Sequence, residues 1–180
     1  MLAARAAWAY VGAQQGSTEL TTILPGAVFG PVLSPDNLGS VQIVQRLLRG
    51  RLAGLPRLGF SIVDVRDLAD LHADAMIAPE AAGQRFLAAG DFLWLEEMAA
   101  VLRLRLGERA AKVPTRRLPD AFVRALSWVI PPLRSFTADL GRRNALTPLK
   151  SQRVLGFVAR PAAETIVDCA ASLLEGGATS

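Results

Sequence analysis

Hydrophobic positions along the chain switch repeatedly between a helical and a strand period. Residues 2–11, rich in Ala with Leu2 and Trp8, read as a helix, yet no Ser, Thr, Asp or Asn precedes them as a cap. Gly12 and Gly16 end it, and Glu19 to Leu24 is apolar and β-branched enough for a buried strand that stops at Pro25-Gly26. Beyond the loop from Pro25 to Ser40, Ile43, Val44, Leu47 and Leu48 mark one face of a helix closing at Gly50. A second strand, Phe60 to Val65, runs into Asp67, read as the cap of a helix with Leu68, Leu71, Ala75 and Met76 on one side. Arg85 to Ala88 predicts a third strand. Leu95, Met98, Ala99, Leu102 and Leu106 predict a helix ended by Gly107, and Lys112 to Thr115 a fourth strand.

The remainder reads as mostly helical. Phe122, Leu126, Val129 and Ile130 share a stripe before Pro131-Pro132, and Thr147-Pro148 starts a helix that Gly156 stops. Ala162, Ile166, Val167, Ala170 and Leu174 make the last helix, ending at Gly176-Gly177. The rhythm is α/β. A parallel strand such as Glu19 to Leu24 needs strands on its edges and helices on its faces, and the chain offers few of either. More chain is therefore expected before Met1.

Composition changes this picture little. At 180 residues, 51% hydrophobic and 20% charged, the chain is apolar enough to fold around a core rather than remain disordered. No stretch approaches the run of about 18 apolar residues needed for a membrane span. Met1 to Ala13 is interrupted by Arg5 and makes a poor signal peptide, so a cytoplasmic location is expected. The lone Cys169 forms no internal disulfide and is read as a small core residue. The net charge of +4 comes from arginines scattered singly or in pairs, with no aromatic stacking platform, so nucleic-acid binding is not expected. Solvated helix faces explain these arginines, with a basic rim toward a phosphate-bearing cofactor or an acyl-coenzyme A substrate as the other reading.

Candidate chemistry is sparse. There is no Gly-x-Gly-x-x-Gly or Walker loop to hold a pyrophosphate, and no His or Cys pair spaced for a metal. His72 has no Gly-x-Ser-x-Gly elbow to serve, and lies four residues from both Leu68 and Met76, so it reads as half-buried. Asp64, Asp67, Asp70 and Asp74 invite a catalytic carboxylate pair. The structural reading is stronger: Asp67 caps, Asp70 and Asp74 follow near the helix start, where the dipole favours them, and Asp64 faces the other way in its strand. The informative stretch is Leu20 to Pro31, a strand breaking at its carboxyl end into a Pro- and Gly-shaped loop, where α/β sheets bind ligands.

Four motifs carry a resemblance: Pro25-Gly-Ala-Val-Phe-Gly-Pro31, Val63-Asp-Val-Arg-Asp-Leu-Ala-Asp-Leu-His72, Gly83-Gln-Arg-Phe86 and Leu155-Gly-Phe-Val-Ala-Arg-Pro161. In this order and spacing the chain resembles the extended short-chain dehydrogenase/reductases. Within them it is most similar to the dihydroflavonol reductase and cinnamoyl-CoA reductase-like branch of the NAD-dependent epimerase/dehydratase group. The resemblance implies the C-terminal part of a Rossmann-type doubly wound sheet plus a mostly helical substrate-binding lobe. It divides the chain into 1–33, the end of the dinucleotide-binding domain, and 34–180, the substrate lobe.

In that family the N-terminal half carries the glycine-rich fingerprint, a catalytic serine and a Tyr-x-x-x-Lys pair, none of which occurs here. Tyr10 is no substitute, because position 14 is Gln14. Leu2 to Trp8 resembles the helix just after the catalytic lysine. By the same resemblance Pro25, Gly26, Ala27 and Val28 contact the nicotinamide end of NAD or NADP. Phe29, Gly30, Pro31, Ser40 and Phe60 fall in the substrate wall, and Arg66 and Asp67 are structural. The expectation is the substrate-side part of an NAD(P)-dependent oxidoreductase acting on a carbonyl or alcohol, inactive alone. The alternative is a non-catalytic lobe that pairs with a separate N-terminal half or binds an apolar ligand. A homodimer is compatible with either.

Overall fold

A computed structural model describes residues 2–14, 16–33, 39–129 and 134–176. Met1, residues 34–38 of the expected loop, Ile130 with the Pro131-Pro132 break, and Gly177 lie outside the described residues.

The chain opens with α1 (Leu2–Ala13) and then runs in extended form through β1 (Thr22–Pro25) and β2 (Ala27–Phe29). Next come α2 (Val41–Leu48), β3 (Gly59–Asp64) and α3 (Val65–Ile77), then β4 (Arg85–Ala88), β5 (Phe92–Trp94) and α4 (Leu95–Leu106). The last third is helical: α5 (Asp120–Val129), α6 (Arg134–Thr137), α7 (Leu149–Leu155) and α8 (Ala162–Glu175). β1 pairs in parallel with β4, while β2 and β3 pair in parallel and β5 joins β3 antiparallel. The fold is α/β with parallel pairs, as the rhythm of the sequence implies.

Two apolar cores lie on these sheets. α4 turns Leu95, Met98, Ala99 and Leu102 inward, and α8 turns Ile166, Cys169, Ala170 and Leu173 inward, both at i, i+3, i+4, i+7 spacing. With Val44, Leu47 and Leu48 of α2 they enclose Phe29 and Ile62. The smaller core gathers Val63, Leu71, Phe86, Leu155 and Phe157 between β1/β4, α3 and α7.

Several elements depart from the sequence reading. The expected loop after Pro25 is a second strand, and the expected buried strand is shorter and shallower, with Leu24 45% exposed. Lys112 to Thr115 is not a strand; the nearest ladder contact is an isolated bridge between Leu55 and Arg117. α3 begins at Val65, so its cap is Asp64 rather than Asp67. Met76 is 86% exposed despite its place on the expected apolar side. α5 turns Val123 inward and leaves Phe122 half out. Each difference is a tertiary choice of which face to bury, which local periodicity does not fix.

Candidate functional site

The site begins at a bend. Gly26 is the single residue between β1 and β2, and its N–H donates to the Ala88 carbonyl at 2.9 Å. A Cβ on Gly26 would lie 2.2 Å from the Ser61 carbonyl oxygen, so only glycine lets the strand cross β3 there. Before the bend the chain lies beside β4, and after it beside β3. Ser61 holds a third segment to this crossing, its buried hydroxyl accepting from the Leu146 N–H at 2.9 Å.

Of the residues expected at a cofactor, Pro25 is exposed and Gly26, Ala27 and Val28 are half-buried around the bend. Of those expected at a substrate, Phe29, Gly30, Pro31 and Ser40 line one open groove of about 470 Å3, shared with Val28, Val41 and Val65. Phe29 itself is only 1% exposed and belongs mainly to the core. Phe60 lies apart, opposite Leu93 on the β3–β5 ladder and packed against the larger core. Among the described residues no titratable side chain lines the groove. Its described lining offers an apolar wall and a hydroxyl.

Behind the groove stands a charged network. Gly30 takes φ +119°, and a Cβ there would meet the Asp64 carboxylate at 3.0 Å. The Asp64 side chain has no solvent exposure. It caps α3 by accepting from the Arg66 N–H at 2.9 Å, and it accepts from Arg66 Nε and Nη2, each at 2.8 Å. Arg66 also reaches Asp168 of α8 at 2.6 Å. Arg160 clamps Asp67 through its backbone N–H at 2.9 Å and its guanidinium at 2.9 and 2.5 Å. Burial pushes the Asp64 carboxyl upward, but the Arg66 hydrogen bonds and the Arg160 charge outweigh it, leaving the group below the ordinary carboxylate range. The network joins β3 and α3 to α8 and to the strand of chain before it. Only the Val63 to Asp67 spacing announces it in sequence, because Arg160 and Asp168 lie about a hundred positions away.

The remaining candidates are quieter. Cys169 is fully buried against the same turn, and burial pushes its thiol up to about 11. His72 is exposed rather than half-buried, its Nδ1 2.7 Å from the Leu68 carbonyl one turn back. Asp70 and Asp74 are exposed, so the four aspartates do not converge. No cluster of three or more potential metal ligands occurs among the described residues. No helix among them is long and apolar enough to cross a membrane.

Comparisons with known proteins agree with this arrangement. No protein-family model matches the chain. Ketoreductase azaE of Aspergillus niger is 27% identical over 97% of the chain, which covers 49% of that protein. Tetraketide alpha-pyrone reductase 1 of Arabidopsis thaliana is 27% identical over 98% of the chain and 47% of its own length. The structure of yeast methylglyoxal/isovaleraldehyde reductase Gre2, complexed with NADPH, superposes on 99% of the chain and 50% of its own with TM-score 0.74 at 24% identity. The chain thus has the fold shared by this NADPH-bound reductase and by a nucleoside-diphosphate-sugar epimerase of Pseudomonas aeruginosa, and these sequence relatives are named as reductases. It spans about half the length of the curated relatives it matches.

Proposed function

We propose that this chain is the substrate-side part of an NAD(P)-dependent carbonyl reductase, acting on a C=O or CH–OH group of a small molecule. In this reading residues 1–33 close a dinucleotide-binding domain and 34–180 form the substrate lobe. The Pro25 to Val28 bend lies against the nicotinamide, and Phe29, Gly30, Pro31 and Ser40 form the substrate wall, with Phe60 supporting it from β3.

One observation carries the reading. β1 has β4 on one edge and, among the described residues, nothing on the other. Its carboxyl end holds the Gly26 bend, the position where α/β sheets take ligands. Elsewhere in the same part of the chain, α1 is apolar yet almost wholly exposed, with Tyr10 at 68%. An open parallel edge and an uncovered apolar helix both suit a preceding set of strands and helices.

The residues present fit only one end of a dinucleotide. A bent, half-buried apolar strand end suits a flat nicotinamide, whereas no glycine-rich loop is available for the phosphates. When bound, the cofactor would supply the hydride. The chain's own residues would orient the carbonyl against that face and exclude water from it; the proton donor would have to come from elsewhere.

The purified 180-residue chain should oxidise NADPH with simple aldehydes and ketones no faster than background. Fusing the half of the Aspergillus ketoreductase that this chain does not match ahead of Leu2 should restore NADPH-dependent reduction. Turnover by the chain alone would overturn the proposal. A soluble, well-folded fusion or co-expressed complex without turnover would favour the non-catalytic partner lobe instead.

A further inference from the structure

The net charge of +4 is concentrated in one segment, since residues 116–143 carry six arginines against two aspartates. Its described residues include α5, α6 and the turn after α6. α5 buries a narrow side containing Val123 and Ser127, each 6% exposed. Its apolar stripe faces outward instead: Ala121, Ala125 and Trp128 follow at helical spacing, with Phe122 alongside. Trp128 is 82% exposed and Phe122 52%. For a helix that meets only water on this side, that orientation is inverted.

Beside the stripe lies an open cleft of about 420 Å3 between α5 and the turn after α6, containing Arg124, Arg142, Ser127 and Thr137. Neither the Arg124 nor the Arg142 guanidinium has an acidic partner among the described residues. The nearby acids are engaged, Asp120 with Arg57 at 2.7 Å and Asp139 with Asn144 at 3.0 Å. Arg117 is held by Glu96.

We propose that α5 and the 137–142 turn form a docking surface for an anionic lipid bilayer. Trp128 and Phe122 enter the boundary between headgroups and acyl chains, and Arg124 and Arg142 hold lipid phosphates. An interfacial helix of this kind combines aromatic residues on its apolar side with flanking arginines, and it does not cross the membrane. An exposed aromatic stripe suits a fluid surface that conforms to it, whereas a protein partner would receive such side chains in fitted pockets. A nucleic acid would call for a succession of stacking rings along a groove. The proposal is independent of the reductase reading.

Vesicle co-sedimentation of the 180-residue chain tests it, with phosphatidylcholine alone and with phosphatidylcholine mixed with phosphatidylglycerol. Binding is expected only to the mixed vesicles, weakening with salt. Phe122→Ser with Trp128→Ser should lower the partition coefficient about tenfold or more. Arg124→Gln with Arg142→Gln should lower it roughly twenty-five-fold, at about fivefold per arginine. Tyr10→Ser, on exposed α1, should leave it unchanged. All four positions of α5 and its turn are exposed, so circular dichroism melts should match the parent; if the aromatic variant unfolds, the arginine variant decides. Equal binding to both vesicle types, or undiminished binding by the variants, would overturn the proposal. So would equally strong binding of inorganic phosphate, which would mark a soluble-phosphate site, or full displacement by duplex DNA.

Discussion

At the scale of single residues, two positions decide whether the strand crossing holds. Gly26 sits where any Cβ would press on the Ser61 backbone, so Gly26→Ala should cost about 3 kcal/mol through displaced strands. Gly12 of α1 has open space around its Cβ position, and Gly12→Ala should be neutral or stabilising. Urea midpoints of the two variants compare the effects directly. Asp64 works through charge. Its carboxyl is held below its unfolded value of about 3.9. Its contribution is therefore present in full above that value and is lost as pH falls through the lower folded value. Asp64→Asn should destabilise the chain by about 2 kcal/mol at neutral pH, a discounted figure because Arg66 is 39% exposed. Below about pH 4 the gap between variant and parent should narrow. Stability curves that stay parallel from pH 7 to pH 3 would contradict this account of Asp64.

At the scale of elements, what could be read in advance follows from how each element is stabilised. α2, α4 and α8 bury stripes that recur within one helix, so Val44 and Leu47, Met98 and Leu102, or Ile166 and Ala170 announce them locally. β2 and β5, three residues each, exist because β3 runs between them, and nothing in Ala27–Phe29 or Phe92–Trp94 alone specifies that neighbour. The capping of α3 by Asp64 was hidden for a related reason: Asp64 and Asp67 have equal local claims, and Arg160 claims Asp67 across 93 positions. The site was legible in the same uneven way. Val28 to Pro31 and Ser40 share a groove, but Phe60, one strand over, does not join them. α1 packs little beyond Trp8, over which Arg85 lies at 5.2 Å. Helices of about a dozen residues are marginal when unsupported. Its amides should exchange with solvent far faster than those of α4 and α8; comparable protection in hydrogen-exchange measurements would mean that α1 is held by more than this contact.

At the scale of the whole molecule, the chain is a packed lobe joined to a parallel strand pair with an open edge among the described residues. The larger core closes on itself around α2, α4 and α8, while β1 and α1 leave a parallel edge and an apolar helix uncovered. That asymmetry accords with a chain that spans about half of the reductases it resembles. Sequence by itself determined the α/β class, the principal helices, the absence of a phosphate loop and the residues of the Pro25 to Pro31 stretch, because each depends on neighbours a few positions apart. Only the tertiary structure decided that this stretch is a strand crossing between two ladders, that five charges from distant segments brace it, and that α5 turns its aromatic side outward. Those outcomes depend on which surfaces are left after the cores are filled, a competition among distant segments.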